Sequence, residues 1–383
     1  MKAVTCAITL AAAIATASTS IAYAQKKGLP PIVVGAVSSL TGPGASDASV
    51  QAAKIYFDSI NEAGGIQGRH IEYRVIDDQM SPPQAAHAAS ELINDPRTVA
   101  IVGGSSALQC GINQERYAQA NIFNLPGAGG DPACFSASHI APLNTGPYVA
   151  TATALTFAHQ VLEHQRLCVV SPALPGMTEA FQKTARDWAK RTQVPEPSLD
   201  MYQLGESLQP IIERVTRRDC DAVIYTVPGG PAIEWVLSSR PAMPKVPVIM
   251  LTPAYTTQAA KALNAVGDDL YAMAEFDPWS SGSLQIMRWR QLLIAQNVET
   301  SALSQGGYLA ARALVHALRG IQGPITRASV SAALSNMPPW RSGMMHQPFR
   351  VGTDGNRQLN RSALPMKLEA GKWRIAHTRW IRE

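Results

Sequence analysis

Three times between Ile32 and Pro132 a short apolar run gives way to a polar or small-residue loop and then to a helical pattern. Ile32 to Val37 leads into the loop Ser38 to Gly44, and the periodicity predicts a helix over 48–61, ending at Ala63-Gly64-Gly65. Ile71 to Ile76 stops at Asp77-Asp78-Gln79, and Pro82-Pro83 opens a helix closed by Asp95-Pro96. Val99 to Val102 ends at Gly103-Gly104-Ser105-Ser106, ahead of a predicted helix at 107–119. A fourth run, Ile122 to Leu125, ends at Pro126-Gly127-Ala128-Gly129-Gly130. Apolar strands alternating with amphipathic helices imply a parallel sheet covered on both faces, an α/β fold. Ligands of such sheets sit beyond the carboxyl ends of the strands. Those ends carry Ser39 to Gly42, Ser105-Ser106 and the glycine-rich 126–130 loop, so a functional site is expected there.

The same alternation resumes near Tyr148. Strands are predicted at 167–170, 199–202, 222–225 and 246–251, ending respectively at Ser171-Pro172, at Tyr202, at Thr226 to Gly230, and at Thr252-Pro253-Ala254-Tyr255. A helix with Phe181, Ala185, Trp188 and Ala189 on one face is predicted with Thr178 as its cap. Glu179 stands at its positive end and Lys190-Arg191 at its negative end, as the helix dipole prefers. A strand at 270–274 leads into Glu275-Phe276, a helix at 304–319 is stopped by Gly320, and Glu369-Ala370-Gly371 reads as the turn of a β-hairpin. A chain of 383 residues exceeds one ordinary core, so two domains are expected.

The formal charge of +5 is scattered, with no Lys/Arg stripe to track a nucleic-acid backbone, so that partner is excluded. The amino terminus has the form of an export signal: Met1-Lys2, an apolar run from Ala3 to Ala17, and the small-x-small site Ala22-Tyr23-Ala24. A membrane anchor is the alternative, but the run is short of the roughly 20 residues that span a bilayer. Cleavage after Ala24, an exported periplasmic protein and a monomer are expected. Cys6 would leave with the signal, and Cys110, Cys134, Cys168 and Cys220 remain, an even number suited to an oxidising compartment. Of three possible pairings, Cys110–Cys134 and Cys168–Cys220 give one staple per domain, and the second joins strands expected to be neighbours. Zinc is the sharper alternative, without any Cys-x-x-Cys spacing to support it; free buried thiols are the plainer one.

Four ordered motifs add a resemblance. Gly35-Ala36-Val37 with Leu40-Thr41-Gly42-Pro43, then Ile60 to Gly65, Ile66-Gln67-Gly68-Arg69, and Ile76-Asp77-Asp78-Gln79 resemble the amino-terminal half of type I periplasmic solute-binding proteins. The branch they are most similar to is the leucine/isoleucine/valine-binding-like receptors of ABC importers. The resemblance is strong over 32–130 and fades to architecture beyond. It implies two Rossmann-like lobes with parallel sheets, joined by three crossovers that form a hinge and trap a small solute as the lobes close. The implied lobes are 25–144 plus 275–348 and 145–274 plus 349–383, and the implied partner is a membrane permease. A ligand-sensing role with a signalling partner is the alternative.

The family's site carries over in part. Ser105 and Ser106 stand where amino-acid binders offer a hydroxyl and amides to the ligand carboxylate; simple helix capping is the alternative. The threonine often found after the fourth strand is replaced by Gly127, Ala128, Gly129 and Gly130, where close approach to ligand and a tight turn are both open. The acidic residue that holds an ammonium is replaced, after the strand ending at Leu251, by Thr252 to Tyr255. A buried ammonium without a partner costs several kcal/mol. A carboxylate-bearing or related polar solute, other than a standard α-amino acid, is therefore expected. Ser39 would join Ser105 and Ser106 at its head. Pro228, Gly229, Thr252, Tyr255 and Phe276 would shape its body, and Tyr148 would line the hinge.

Catalysis is the rival class. Gly103 to Ala107 follows a strand and opens a helix as a nucleophile elbow does, but lacks the final glycine of Gly-x-Ser-x-Gly. His159 and His164 are five apart rather than the four that share a helix face for zinc. Asp77-Asp78 reads as a turn and loop anchor rather than a metal or acid pair. No phosphate loop or dinucleotide fingerprint occurs, so no cofactor and no enzyme activity are expected.

Overall fold

The computed structural model describes residues 29–42, 44–353, 357 and 360–383; the expected export signal, with Cys6, and Pro43 lie outside the described residues. The first half runs β1 (Ile32–Ser38), α1 (Ala48–Glu62), β2 (Ile71–Asp77), α2 (Pro82–Asn94), β3 (Thr98–Val102), α3 (Gln109–Gln119) and β4 (Asn124–Leu125). The second unit runs α4 (Pro147–Gln160), β5 (Leu167–Pro172), α5 (Met177–Thr192), β6 (Ser198–Tyr202), α6 (Gln209–Arg217), β7 (Ala222–Tyr225), α7 (Gly230–Ser239), β8 (Val248–Met250), α8 (Thr257–Ala262) and β9 (Leu270–Ala274). Helices α9 (Leu284–Ala295), α10 (Ala302–Gly320) and α11 (Arg327–Ser335) follow, then β10 (Ser362–Glu369), β11 (Lys372–Ile375) and β12 (Ile381–Arg382). Among the described residues no helix is long and apolar enough to cross a membrane.

Among the described residues two sheets form, one per lobe. The first is parallel, in the order β2-β1-β3-β4; the second runs β11-β10-β9-β8-β7-β5-β6, with β12 also paired to β10. In the second, β5 to β9 are parallel, while β10 returns antiparallel to β9 and carries the tail hairpin. Its turn residues Ala370 and Gly371 both have positive φ, the conformation a two-residue hairpin loop demands. Each sheet is covered on both faces. In lobe 1, Phe57, Trp289, Leu309 and Leu314 cover one face, and Leu92, Tyr117 and Ile122 the other. In lobe 2 the corresponding layers centre on Tyr225 and Trp235, and on Phe157 and Trp188. Helices α9 to α11 belong to the lobe 1 layers, so the chain passes between lobes three times: after β4, after β9 and before β10.

Two local expectations are corrected. Helix α5 starts at Met177 after Gly176, whose φ of 76° suits glycine, so Thr178 lies inside the first turn and does not cap it. Helix α10 runs through Gly320 and is capped at Ile321. Both cysteine pairs form: Cys110 with Cys134 (Cα–Cα 5.1 Å) and Cys168 with Cys220 (5.9 Å), the latter tying β5 to the entrance of its neighbour β7. In the chain-entropy model such loops are worth about 3–4 kcal/mol each.

The tightest packing joins α1, α10 and the loop after β4. A methyl group on Gly307 would lie 1.9 Å from the Ser49 carbonyl oxygen, and one on Gly306 would lie 2.2 Å from that of Gly127. Gly127 in turn faces the Ser49 hydroxyl and the Gly307 amide, so it lets backbone meet backbone behind the interlobe cleft. Gly307→Ala should therefore destabilise the fold by about 1–3 kcal/mol through overpacking. Gly320→Ala, with open space around it, should be neutral or stabilising by up to about 1 kcal/mol. Urea unfolding midpoints at unchanged slope would measure both.

Candidate functional site

The strand ends of lobe 1 are held by two adjacent carboxylates. Asp77 accepts hydrogen bonds from the Leu40 N–H (2.9 Å), the Thr41 hydroxyl (2.6 Å) and the Gln79 N–H (2.9 Å), and so fixes the loop after β1. Asp78 is fully buried and accepts from the Ser39 hydroxyl (2.7 Å), the Met80 N–H (3.1 Å) and the Ser106 hydroxyl. Ser106 also accepts from the Leu108 and Gln109 N–H groups at the start of α3 (3.1 and 3.0 Å). The two serines thus divide the two readings of this turn. Ser106 turns inward to hold the amides that lead into the helix, while the Ser105 hydroxyl lies 3.1 Å from that of Ser38 and faces the space between the lobes.

That space is a cavity of about 370 Å³ lined from both lobes. Of the sequence-predicted residues, Ser39, Ser105, Gly127, Ala128, Gly129, Pro228, Gly229, Thr252 and Phe276 line it. Ser106, Tyr148 and Tyr255 do not. Tyr148 stands behind the wall, donating its hydroxyl to the Gly130 carbonyl (3.0 Å) with its ring 5.0 Å from that of Phe181. Tyr255 is buried between Trp279, on which it stacks at 3.7 Å, and Trp373. The Gly129 N–H donates to Asn144 Oδ1 (2.8 Å), so it braces the crossover. Among the described residues the Ala107 and Gly130 N–H groups, both on the cavity wall, have no hydrogen-bond partner.

Sequence reasoning missed two parts of the wall. The first is apolar: Leu174, Met177, Phe181, Leu204 and Ile233 of lobe 2. The strand-end rule reaches Leu174 and Met177 after β5 and Leu204 after β6, but Ile233, inside α7, carries no such signal. The second is the pair of carboxylates Glu275 and Glu299; among the described lining residues there is no lysine, arginine or histidine. Glu299, at the exposed rim, accepts from the Gln258 N–H (2.9 Å) and the Thr257 hydroxyl at the start of α8.

Glu275 is buried at the hinge. Its side chain accepts from the Thr145 N–H (3.0 Å) and is hydrogen-bonded by the Gly146 amide and the Asn144 amide, with Thr252 beside it. Its own carbonyl accepts from Asn360 Nδ2 (3.3 Å), and the Thr145 hydroxyl donates to the Ser362 carbonyl (3.1 Å). One residue therefore joins all three crossovers, its carboxyl bonding the first and its backbone carbonyl the third. Burial pushes its carboxyl up to about 7, against the downward pull of those hydrogen bonds.

Two outcomes follow from this geometry. Ser106→Ala removes the acceptor of the Leu108 and Gln109 amides and a partner of a buried carboxylate, and should destabilise the fold by about 1–3 kcal/mol in denaturant unfolding. Between its unfolded value of 4.5 and about 7, Glu275 binds a proton in the folded chain that the unfolded chain has released. Its contribution is full below that window and is lost as pH rises through it. The stability of the wild type relative to Glu275→Gln should accordingly fall from pH 5 to pH 8 in thermal unfolding.

Comparison with known proteins adds to this geometry. A family model described as periplasmic binding protein matches residues 31–372. A Leu/Ile/Val-binding protein homolog 4 from Brucella abortus (strain 2308) is 32% identical over 108 residues, 28% of this chain. The chain spans 26% of the length of that relative. A possible leucine/isoleucine/valine-binding protein from Rhodopirellula baltica SH 1 superposes with a TM-score of 0.81 at 15% identity, covering 91% of this chain and 97% of that one. A fatty acid ABC transporter substrate-binding protein from Thermomonospora curvata gives 0.80 at 18% identity, covering 92% and 93%. At these identities the two structures are similar in fold.

Proposed function

The chain belongs to the periplasmic binding protein family, and we propose that it is a non-catalytic, extracytoplasmic receptor for an ABC importer. Its solute has a hydrogen-bonding head and an apolar body. The observation that carries this reading is the division of the cavity wall. Hydroxyl and amide groups come mainly from the lobe 1 strand ends, while lobe 2 contributes Leu174, Met177, Phe181, Leu204 and Ile233 alongside Thr226, Thr252, Thr256 and Gln258. Ser105, with the partnerless N–H groups of Ala107 and Gly130, holds the head. Pro228, Gly229, Thr252 and Phe276 shape the remaining space.

The head is a carboxylate or a related polar group rather than that of a standard α-amino acid. An ammonium needs a carboxylate with free acceptor capacity. Glu275 faces the cavity, but its oxygens already serve the crossovers, and Glu299 sits at the rim. With no cation among the described lining residues, an anionic head depends on neutral donors. A Glu275 carboxyl half-protonated near neutral pH limits the repulsion such a head meets.

The lobes correspond on this reading to 25–144 plus 275–348 and 145–274 plus 349–383, with export and cleavage after Ala24. The mature monomer carries its solute, unaltered and without a cofactor, to a membrane permease. Closure follows from contacts the solute makes to both lobes at once.

A thermal-shift screen of aliphatic and aromatic carboxylates, amides and amino acids tests the reading. An apolar-bodied carboxylate or amide at a hundred times its Kd should stabilise the protein by about 2.7 kcal/mol. Ser105→Ala should weaken that binding by about 1–2 kcal/mol while leaving the ligand-free Tm nearly unchanged. A response confined to standard α-amino acids would overturn the ligand class, and turnover of an ester substrate would overturn the receptor reading.

A further inference from the structure

Helices α9 and α10 both pack on α1, and the groove between them, about 550 Å³, lies on lobe 1 and shares no lining residue with the interlobe cavity. Arg288 enters it from α9, Arg312 and Arg319 from α10, and Tyr56 and Tyr308 form part of its lining. The spacing is what puts these groups together. Tyr308, Arg312 and Arg319 follow one another at four and seven residues, one face of α10, and Arg312 and Arg319 are about 10 Å apart along the axis. Two glutamines of α9, Gln285 and Gln291, complete the wall with amide donors.

Solvated helix faces usually interleave charges of both signs. Here neither Leu284–Ala295 nor Ala302–Gly320 contains a single Asp or Glu, and among the described residues none of the three arginines has an ion-pair partner. Arg312 is held in place by its own contacts. It donates to the Ser342 carbonyl (3.0 Å), and its guanidinium carbon stands 5.6 Å from the Tyr308 ring centre and 5.3 Å from that of Trp340. Tyr56 and Tyr308 meet edge to face at 5.0 Å, which fixes their rings as well. Burial raises both phenols, and the arginines oppose that rise in part, as positive charges beside them do.

We propose that this groove is a second binding site, for an oxyanion of the phosphate class. Several fork-shaped cations around one space suit a group that offers many acceptor oxygens, since each guanidinium can take two of them. The phosphate can be free or part of a lipid headgroup. The exposed Leu284, Met287 and Ile294 on α9 give an apolar edge beside the groove that a lipid surface would cover. The site stands independently of the solute bound between the lobes.

Titration calorimetry with inorganic phosphate and pyrophosphate at low ionic strength tests it. One saturable site is expected, weakening as sodium chloride is added. The double variant Arg288→Ala with Arg319→Ala should weaken it at least about tenfold, whereas Arg186→Ala, on the exposed surface of lobe 2, should leave it unchanged. Cosedimentation with phosphatidylglycerol vesicles, against phosphatidylcholine vesicles, separates the sources. Vesicle binding that phosphate displaces identifies a headgroup, and phosphate binding alone identifies a free anion. The proposal fails if neither probe binds with a Kd below about 10 mM. It also fails if Arg186→Ala weakens binding as much as the double variant does, because the attraction is then a property of the net charge.

Discussion

A single buried carboxyl group, that of Glu275, decides how the two halves of this molecule can sit. It reaches the Thr145 amide of the first crossover from the second, and its backbone oxygen is held by Asn360 of the third. Taking a carboxylate out of water is tolerable only when donors replace the lost hydration, and the donors at hand belong to the segments that must be brought together. The requirement to satisfy one group is thereby turned into a requirement that the first two crossovers converge, and Asn360 adds the third through the carbonyl of the same residue. Around that point Thr252 belongs to both the hinge and the wall, since it lines the cavity beside Glu275 and its hydroxyl donates to the Met273 carbonyl (2.5 Å). Hinge geometry and cavity shape cannot vary independently.

Lobe 1 repeats the device. Asp78 draws Ser39 and Ser106 onto one buried carboxylate, which locks the loops after β1 and β3 to each other. The wall they build is rigid because its polar groups are mutually engaged. Lobe 2 offers a more apolar surface, with the flexible side chains of Met177 and Leu204 set among Thr226, Thr252 and Gln258. A firm polar face opposite a compliant apolar one suits recognition by the head of a solute with tolerance in its body. The relatives by name span a possible leucine/isoleucine/valine-binding protein and a fatty acid transporter's binding protein, so the fold leaves the ligand open and the lining chooses it.

Most of the architecture was legible because it rests on local chemistry. Apolar runs of strand length, proline at helix starts and glycine at their ends gave the order of elements, and the even cysteine count gave the pairing once neighbouring strands were inferred. The strand-end rule found Ser39, Ser105 and Gly127 to Gly129. What escaped depends on contacts distant in sequence. Ser105 and Ser106 are chemically identical in the sequence, and only the position of Asp78, twenty-seven and twenty-eight residues earlier, sends one hydroxyl into the core and the other into the cleft. Tyr255 looked like a wall residue because it follows a strand end, but the Trp279 ring offers it a stacking face inside. Gly127 was expected at a ligand or a turn, and close packing against α10 accounts for it. Glu275 was visible at its strand end, yet nothing local announces that three crossovers meet there.

One detail of the cleft mouth bears on how such a molecule moves. Where lobe 2 reaches across to lobe 1, a methyl group placed on Gly229 would stand 4.0 Å from the Gly44 Cα, so the two rims approach each other as bare main chain. Main chain of this kind offers little to grip, neither an interlocking side chain nor a salt bridge to snap shut. At this contact, among the described residues, the gate has no catch of its own, so whatever fills the chamber must also help to bolt it.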